Sequence, residues 1–358
     1  MIIDFTNELK LREKLVTDYI LSKEYRSWFK PAHLKRAVYS YLERGGKRLR
    51  PAILLFSCGI VGGREDSALP AAAALELFHT WTLVHDDIID NDRKRRGLST
   101  IHEAFKEKAA AEFGYSREKA AHYGKNIAIL AGDCQQAWSV CLLAETALKH
   151  DLDPGVALKL IYLMESRVVN ELIRGETLDF QFEGRRIEEL SLNEIVRMLR
   201  LKTGILYEFA GRAGAMIGLN HPDENNPQVK ALAGFASRCG IAFQLQDDIL
   251  GILGDEKLLG KPVGSDIQEG KRTTIVYFAY KNADEKQKKR LDRTLGNKEA
   301  SPQEIEACTN LLIELKGIEE TRKLADSYLH QAYPLLDFFP DGKYKKLLLA
   351  WADFMVNR

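Results

Sequence analysis

Paired-cysteine motifs, long apolar runs and an excess of charge of either sign are all missing from this sequence. The five cysteines among its 358 residues show no CxxC spacing, so we expect free thiols in a cytoplasmic protein, with neither disulfides nor a zinc site. No apolar run reaches the ~20 residues of a membrane-spanning helix, and no basic stretch followed by an apolar one marks a signal peptide. The formal net charge is +1, which gives no reason to expect nucleic acid as a partner.

Signals for β-structure and for domain linkers are also scarce. Few β-branched runs alternate with polar residues, and dipeptides typical of hairpin turns are almost absent. No P-loop, dinucleotide-binding glycine motif or nucleophile elbow occurs. No Pro-, Gly- or Ser-rich stretch divides the chain, so we expect one domain over residues 1–358.

Apolar residues at helical spacing dominate instead, in Ala-, Leu- and Glu-rich segments separated by Gly and Pro. This pattern predicts an all-α fold, a single large helical bundle. The Lys-, Glu- and Ala-rich stretch 103–125 is expected at the surface and partly as loop. The predicted helices cover residues 4–22, 31–43, 49–62, 67–91, 100–112, 116–149, 154–183, 191–218, 227–252, 271–281, 284–295, 302–315, 317–333 and 341–356.

The first acidic cluster lies in the segment LVHDDIIDND, which begins inside an apolar helix. On a helix, His79, Thr82, Asp86 and Asp90 fall on one face, so the two carboxylates lie one turn apart on the same side. Mg²⁺ suits such a pair because it binds a few carboxylates and takes phosphate oxygens as further ligands. A solvated helix end would explain a lone DDxxD pattern, but the apolar residues around Asp86 argue against full exposure.

A second acidic cluster, FQLQDDILG, places Phe243, Gln244, Asp247 and Gly251 at helical spacing. It again forms a polar stripe on an apolar helix. Burying unpaired carboxylates is costly, so a cation must compensate. Two such stripes that face each other across a helical bundle would hold several Mg²⁺ ions with an anion between them.

Cations concentrate in two further segments. Lys47, Arg48 and Arg50 follow a pair of glycines in GGKRLRP, where glycine lets the backbone approach a ligand and a helix start favours anions. A second basic loop, residues 257–273, follows the second acidic cluster and would give a Mg-diphosphate complex its cationic side. The alternatives are a basic surface turn for the first segment and a solvated loop with ion pairs for the second.

Two weaker signals lie between the acidic clusters. Glu171, Gly175 and Asp179 share one face of a predicted helix, with Glu176 adjacent. Lys202 stands beside a threonine inside an apolar helix, where lysine ordinarily extends its ammonium group to solvent.

Taken together and in order, these segments resemble the trans-isoprenyl diphosphate synthases, the polyprenyl synthetase family. The resemblance extends from Gly45 to Thr273 through GGKRLRP, DDIID with RRG after it, GD at 132–133, KT at 202–203, FQLQDD, GKPVGSD and GKRT. It implies the isoprenoid synthase fold, a helical bundle around a central cavity, as a homodimer. It also implies Mg²⁺-dependent head-to-tail condensation of isopentenyl diphosphate with an allylic diphosphate.

The resemblance further implies a role for each matched position. The aspartates that would bind about three Mg²⁺ ions are Asp86, Asp90 and Asp247, supported by Asp87 and Asp248. The cations that would hold the allylic diphosphate are Arg95, Lys202, Lys261 and Lys271. The residues that would hold isopentenyl diphosphate are Lys47, Arg50, His79 and Arg96. The catalytic residues, whose oxygens would face the allylic cation, are Thr203, Gln244 and Lys202 through its carbonyl.

The sequence departs from the family pattern at three places. Gly251 stands where a third aspartate is usual, and Glu176 stands where glutamine is common. Asp255, one turn beyond Gly251, is a candidate to compensate for the missing carboxylate. The stretch between His102 and the GD pair at 132–133 is longer than usual, so we expect an enlarged surface loop there.

Product length in this family is limited by bulk just upstream of the first aspartate motif. The resemblance singles out Trp81, the fifth residue before Asp86 and an aromatic as in archaeal-type geranylgeranyl diphosphate synthases. An ideal helical wheel instead places Thr82 and Phe78 nearest the Asp86 face. We therefore expect a short all-trans product, geranylgeranyl diphosphate first, with farnesyl or longer diphosphates left open.

Two other functions fit parts of the pattern. A class I terpene cyclase shares the helical fold and DDxxD, but its usual second metal motif does not match DDILG and it needs no second diphosphate site. A non-catalytic regulatory subunit of a prenyl synthase is suggested only by Gly251, since Asp86, Asp90 and the arginine pair 95–96 are retained.

Overall fold

Helices dominate the computed structural model, which describes residues 4–254 and 264–357. The all-α prediction is therefore confirmed. Lys261 and Asp255, two residues named above, lie outside the described residues. The helices are α1 (Phe5–Ile20), α2 (Lys23–Arg26), α3 (Ala32–Ser40), α4 (Leu49–Ile60), α5 (Glu65–Ile89), α6 (Ile101–Phe113), α7 (Arg117–Leu148), α8 (Pro154–Leu163), α9 (Val169–Glu183), α10 (Leu192–Leu199), α11 (Ile205–Leu219), α12 (Pro227–Leu253), α13 (Ser265–Glu269), α14 (Thr274–Asn282), α15 (Glu285–Thr294), α16 (Pro302–Glu314), α17 (Gly317–Ala332) and α18 (Lys343–Val356).

The described residues fall into two compact units. The first lies within Met1–Tyr162, Arg212–Val229 and Asp341–Leu348, and the second within Leu163–Gly211, Lys230–Pro340 and Leu349–Arg358. The assignment of residues 1–358 to one domain stays a prediction.

The core of the first unit is built around α5. From Ala71 to Phe78 every residue of this helix is buried, because α4, α7 and α1 pack against it on different sides. Burial on every side is typical of a core helix, and the one charged residue of this stretch, Glu76, is paired with Arg48. The acidic end of α5 is thus fixed by a rigid element.

Helices α6 and α7 form a tight antiparallel pair in the first unit. Gly114, with φ 63, ends α6, and the Ser116 hydroxyl caps the start of α7. A Cβ on Gly124 would lie 2.8 Å from the backbone nitrogen of Lys106, so glycine permits the close approach. The expectation of an enlarged surface loop was wrong, because the only loop between the two helices is the short stretch 114–116, which is the part of 103–125 that is loop.

Helix α7 is the one described helix that is long and apolar enough to cross a membrane by length and composition. In its most apolar window 44% of the residues are buried inside the protein. Core helices of proteins outside membranes meet the same criteria of length and composition, so these criteria are weak evidence for a membrane span.

A short β-hairpin follows α5 and was not predicted. Strands β1 (Lys94–Arg95) and β2 (Leu98–Ser99) pair antiparallel. Between them Arg96 and Gly97 have φ values of 51 and 77. Two successive residues with left-handed backbone conformation match the right-handed twist of the strands. Arg95 lies in β1 and Arg96 in the turn, so their side chains leave the hairpin in different directions.

The second unit contains two π-helical turns, Met164–Val168 before α9 and Arg200–Gly204 between α10 and α11. The sequence predicted uninterrupted helices at both places. Helix α10 begins with a capping box, in which Ser191 and Glu194 satisfy each other's backbone N–H groups. Because π turns often occur at functional sites, the turn that contains Lys202 is of particular interest.

Helices α11 and α12 approach each other closely in the second unit. Glycines make this contact possible: a Cβ on Gly240 would lie 2.7 Å from the Tyr207 ring, and one on Gly211 would lie 2.9 Å from the Leu232 carbonyl carbon. The Tyr207 ring also packs on Trp351, with centroids 5.6 Å apart. This packing fixes the π turn of Lys202 relative to the polar stripe of α12.

Candidate active site

The first aspartate motif lies at the C-terminal end of α5. Asp90 caps the helix, and its N–H donates to the Asp86 carbonyl at 2.8 Å. The carboxylates of Asp86 and Asp90 therefore project one turn apart, and both residues are partly exposed. Asn91, with φ 56, then turns the chain out of the helix; asparagine tolerates this left-handed conformation.

Asp87 has a structural role that differs from those of its neighbours. It is 1% exposed, and its Oδ1 accepts from the Arg95 Nε at 2.7 Å. Its Oδ2 accepts from the Tyr41 hydroxyl, and burial together with the Asp87 charge raises the pKa of Tyr41. This buried group ties the β-hairpin to α5, so Arg95 is oriented by Asp87.

Several cations gather around His79 in the first unit. The Arg50 guanidinium donates to His79 Nε2 at 3.1 Å; since arginine stays protonated, this nitrogen acts as the acceptor. Burial, and then the charges of Arg50, Arg95 and Arg96, lower the pKa of His79 well below its usual value. His79 is thus a neutral member of a cationic group, and the exposed Lys47 lies in the segment before Arg50.

The glycine pair of GGKRLRP accommodates Arg96. The Arg96 guanidinium donates to the Gly45 carbonyl at 2.8 Å, and a Cβ on Gly46 would lie 3.0 Å from the same guanidinium. Arg48 is instead buried, where it forms an ion pair with Glu76. Arg48 therefore stabilises the fold, and its charge is not directed at a ligand.

The three residues proposed to limit product length have different surroundings. Phe78 is fully buried. The Trp81 ring is partly exposed and packs edge-on against Phe78 and His85, with centroids 4.9 and 5.7 Å away. The Thr82 hydroxyl donates to the His79 carbonyl at 2.8 Å. Trp81 faces α7, where a Cβ on Gly132 would lie 3.1 Å from it.

In the second unit Lys202 lies on a π turn between two carboxylates. Its Nζ is 2.9 Å from a Glu176 oxygen and 2.7 Å from Asp179 Oδ2. Burial alone would lower the pKa of Lys202, but Asp179 and Glu176 outweigh it and raise that pKa. Gly175 lets α9 approach this turn, because a Cβ there would lie 2.7 Å from the Leu201 carbonyl carbon.

A hydrogen-bonded chain links the π turn to the second aspartate motif. The Thr203 hydroxyl donates to Gln244 Oε1 at 2.8 Å, and Gln244 Nε2 donates to Asp248 Oδ1 at 2.9 Å. The structure thus brings together Thr203 and Gln244, and Asp248 orients the amide.

Sequence reasoning missed Asp266 as part of this site. A Cβ on Gly251 would lie 3.1 Å from Asp266 Oδ2, so the Asp266 carboxylate occupies space beside the position of the usual third aspartate. The aspartate of GKPVGSD was the available signal. Asp255, the candidate compensating residue, lies outside the described residues.

The oxygen donors of the second motif suit Mg²⁺. Burial, followed by the charge of Asp266, raises the pKa of Asp248 well above its usual value, with a further contribution from Asp247. Its Oδ2 is buried and, among the described residues, has no hydrogen-bond partner. Among the described residues no group of three or more His, Cys, Asp or Glu side chains is arranged to hold a metal ion by itself. Mg²⁺ requires only one or two carboxylates, since water and phosphate supply its other ligands.

The segment GKRT supplies a second lysine near Lys202. Lys271 pairs with Glu269 at 2.9 Å and is close enough to Lys202 to lower its pKa. Arg272 donates to the carbonyls of Arg185 and Glu183, at 2.9 and 3.3 Å, and so anchors the segment to the end of α9. Lys261, the other expected lysine, lies outside the described residues.

Comparison with known proteins gives a consistent result. Residues 31–312 match the family model described as "Polyprenyl synthetase". A relative from Saccharolobus solfataricus named geranylgeranyl diphosphate synthase is 37% identical over 329 residues, or 91% of this chain and 90% of its own length.

Solved structures of high similarity cover nearly the whole chain. A geranylgeranyl pyrophosphate synthetase from Pyrococcus horikoshii has a TM-score of 0.83 and 33% identity, over 99% of this chain and 98% of that one. A geranylgeranyl pyrophosphate synthase from Corynebacterium glutamicum, complexed with isoprenyl diphosphate and magnesium, has a TM-score of 0.86 and 27% identity, over 99% and 100%. The chain has the isoprenoid synthase fold and belongs to the polyprenyl synthetase family of prenyltransferases.

Proposed function

We propose that this chain condenses isopentenyl diphosphate head-to-tail with an allylic diphosphate in a Mg²⁺-dependent reaction. The observation that carries the proposal is the combination of acidic and basic groups in the second unit. Asp247, Asp248 and Asp266 lie close enough together to act on one another's charge and would supply oxygen ligands for a cation, while Lys202 and Lys271 would supply positive charge for an anion. A metal-bound diphosphate requires both kinds of group.

The first unit supplies aspartates and a separate set of cations. Asp86 and Asp90 are partly exposed and would bind Mg²⁺, for which the proposal expects about three ions in all. Arg50 and Arg96 surround the neutral His79, an arrangement that suits a diphosphate bound without metal. We assign isopentenyl diphosphate to this set and the allylic diphosphate to the lysines.

The chain's own residues would position and protect the reacting atoms. Bound Mg²⁺ would supply Lewis-acid assistance to departure of the allylic diphosphate. The Thr203 hydroxyl donates a hydrogen bond to Gln244 Oε1, so the lone pairs of the Thr203 oxygen would remain to face the allylic cation together with the Lys202 carbonyl. Fixed dipoles of this kind stabilise a cation without attacking it. The released diphosphate would then take the proton that leaves the product.

We favour geranylgeranyl diphosphate as the product. The relative from S. solfataricus carries that name, and Trp81 provides bulk before the first aspartate motif. The regulatory-subunit alternative depended on Gly251, and the Asp266 carboxylate beside Gly251 removes its main support. A terpene cyclase would have no use for the cations around His79.

Homodimer formation and a cytoplasmic location are part of the proposal. Helix α7 exposes a stripe of small and apolar residues: Leu130, Ala137, Cys141 and Leu148. A partner surface would bury this stripe. The five cysteines show no paired spacing, a pattern that suits a reducing compartment.

A product assay tests the proposed function. Purified protein is incubated with labelled isopentenyl diphosphate and, separately, with dimethylallyl, geranyl or farnesyl diphosphate, with Mg²⁺ or with chelator. Products are sized by chromatography after phosphatase treatment. We expect condensation only with Mg²⁺, and geranylgeranyl diphosphate as the main product.

The possible outcomes separate activity from product length. A longer product would retain the activity and contradict the assignment of Trp81. A folded protein that condenses no primer would contradict the proposed function and favour the regulatory subunit.

A further inference from the structure

Lys202 contacts two carboxylates, although one carboxylate is enough to neutralise its positive charge. The side chains of Glu176 and Asp179 are only 12% and 10% exposed, and both contact the Lys202 ammonium. The three side chains together carry a net charge of one negative unit when the carboxylates are ionised. A diphosphate that binds the Lys202 ammonium group would therefore approach a cluster with net negative charge.

A glutamine at position 176 would separate the charge of Glu176 from its shape. Glutamine has nearly the shape of glutamate and keeps a carbonyl oxygen that accepts from an ammonium group, but it has no charge. Asp179 Oδ2, at 2.7 Å from Lys202 Nζ, would still hold the lysine in place. The distinctive contribution of Glu176 is thus its charge.

We propose that Glu176, acting through Lys202, weakens ground-state binding of the allylic diphosphate and so determines the affinity of the enzyme for this substrate. The inference rests on the proposed function. Glu176 repels the anion and competes with it for the same ammonium group, and both effects are strong in a poorly solvated site. Lys271 adds a second ammonium group nearby, but that group is itself paired with Glu269 and does not offset the charge of Glu176.

The expected kinetic signature is a change in KM without a gain in kcat. Glu176 opposes the diphosphate both before and after ionisation of the substrate, and an interaction of this uniform kind changes substrate binding and leaves the chemical step unaltered. If Glu176 merely supported the fold, replacing it would lower activity or stability and would not improve the affinity for the primer.

The test compares Glu176→Gln with the wild-type protein. We expect the KM for the allylic primer to fall about three- to tenfold, with an unchanged KM for isopentenyl diphosphate and no increase in kcat. The Kd of dimethylallyl thiolodiphosphate, an unreactive allylic analogue, measured calorimetrically with Mg²⁺, should fall in parallel.

Two further variants serve as controls. Glu188→Gln removes the same charge from an exposed position of the second unit that pairs with Arg186, and it should leave both constants at wild-type values. Glu176→Asp retains the negative charge, so its primer KM should lie closer to the wild-type value than that of Glu176→Gln. An unchanged or higher KM and Kd in Glu176→Gln would overturn the inference, whereas failure of the wild-type protein to condense any primer would overturn the proposed function itself.

Discussion

Trp81 and Thr82 are adjacent residues and are the two alternative candidates for the side chain that limits product length. Trp81 presents a ring packed between Phe78 and His85, whereas the Thr82 hydroxyl is bound to the helix backbone. We expect Trp81→Ala to lengthen the main product by at least one isoprenoid unit, because removing the indole opens space for a longer chain. Chromatography of dephosphorylated products measures this.

Thr82→Ala is the matched control for that experiment. It removes few atoms and no ring, so the product distribution should match that of the wild type. If Thr82→Ala lengthened the product and Trp81→Ala did not, the helical wheel would be the better guide and the Trp81 assignment would be wrong.

Individual side chains were only partly predictable from the sequence. A motif gives residue types in order, but it does not distinguish a ligand-facing cation from a structural one. Arg48 belongs to GGKRLRP, yet it is buried against Glu76. Asp266 is distant in sequence from Gly251, and only the fold places its carboxylate there. Such contacts depend on tertiary packing, which spacing along the chain does not encode.

Gly175 controls how closely α9 approaches the π turn of Lys202. In Gly175→Ala the new Cβ would meet backbone atoms of Leu201 and Lys202, which cannot rotate away as a side chain can. We expect a loss of about 1–3 kcal/mol in the free energy of unfolding. We also expect a fall in kcat of roughly 100-fold, because the Lys202 carbonyl and Thr203 would shift.

Gly184→Ala provides the comparison on the same segment. A Cβ at Gly184, an exposed residue just past the end of α9, would meet the Gln181 carbonyl at an ordinary 3.7 Å. Chemical denaturation and condensation rates should therefore be close to wild type. Wild-type kcat in Gly175→Ala would show that the position of the π turn does not matter for catalysis.

The helices themselves were largely predictable, and their irregularities were not. Apolar periodicity predicts the ends of α5 and α12 to within a few residues, because burial on one side repeats every turn. A π turn adds a single residue and barely alters that periodicity, so Arg200–Gly204 was predicted as regular helix. The length of the stretch after His102 suggested an enlarged surface loop, but packing between α6 and α7 keeps all of it except 114–116 helical.

At the scale of the whole molecule, α7 presents two contrasting sides. One side packs against α3, α5 and α6. The other exposes Leu130 and Leu148, which are 51% and 81% accessible, in line with the smaller Ala137 and Cys141. A contiguous apolar stripe of this kind is typical of a protein interface, and small residues at its centre allow a second helix to approach. The proposed homodimer would use this side.

Ala137→Arg tests that arrangement. Arginine is a good helix former and Ala137 is exposed, so the fold should be retained, while a charge inserted between two copies would lack a partner and be costly to bury. Light scattering after size exclusion should give twice the chain mass of 40.5 kDa for the wild type and the single-chain mass for the variant. Ala111→Arg, at an exposed alanine of α6, should remain a dimer. A dimeric Ala137→Arg protein would mean that the interface lies elsewhere, and the apolar side of α7 would then require another partner.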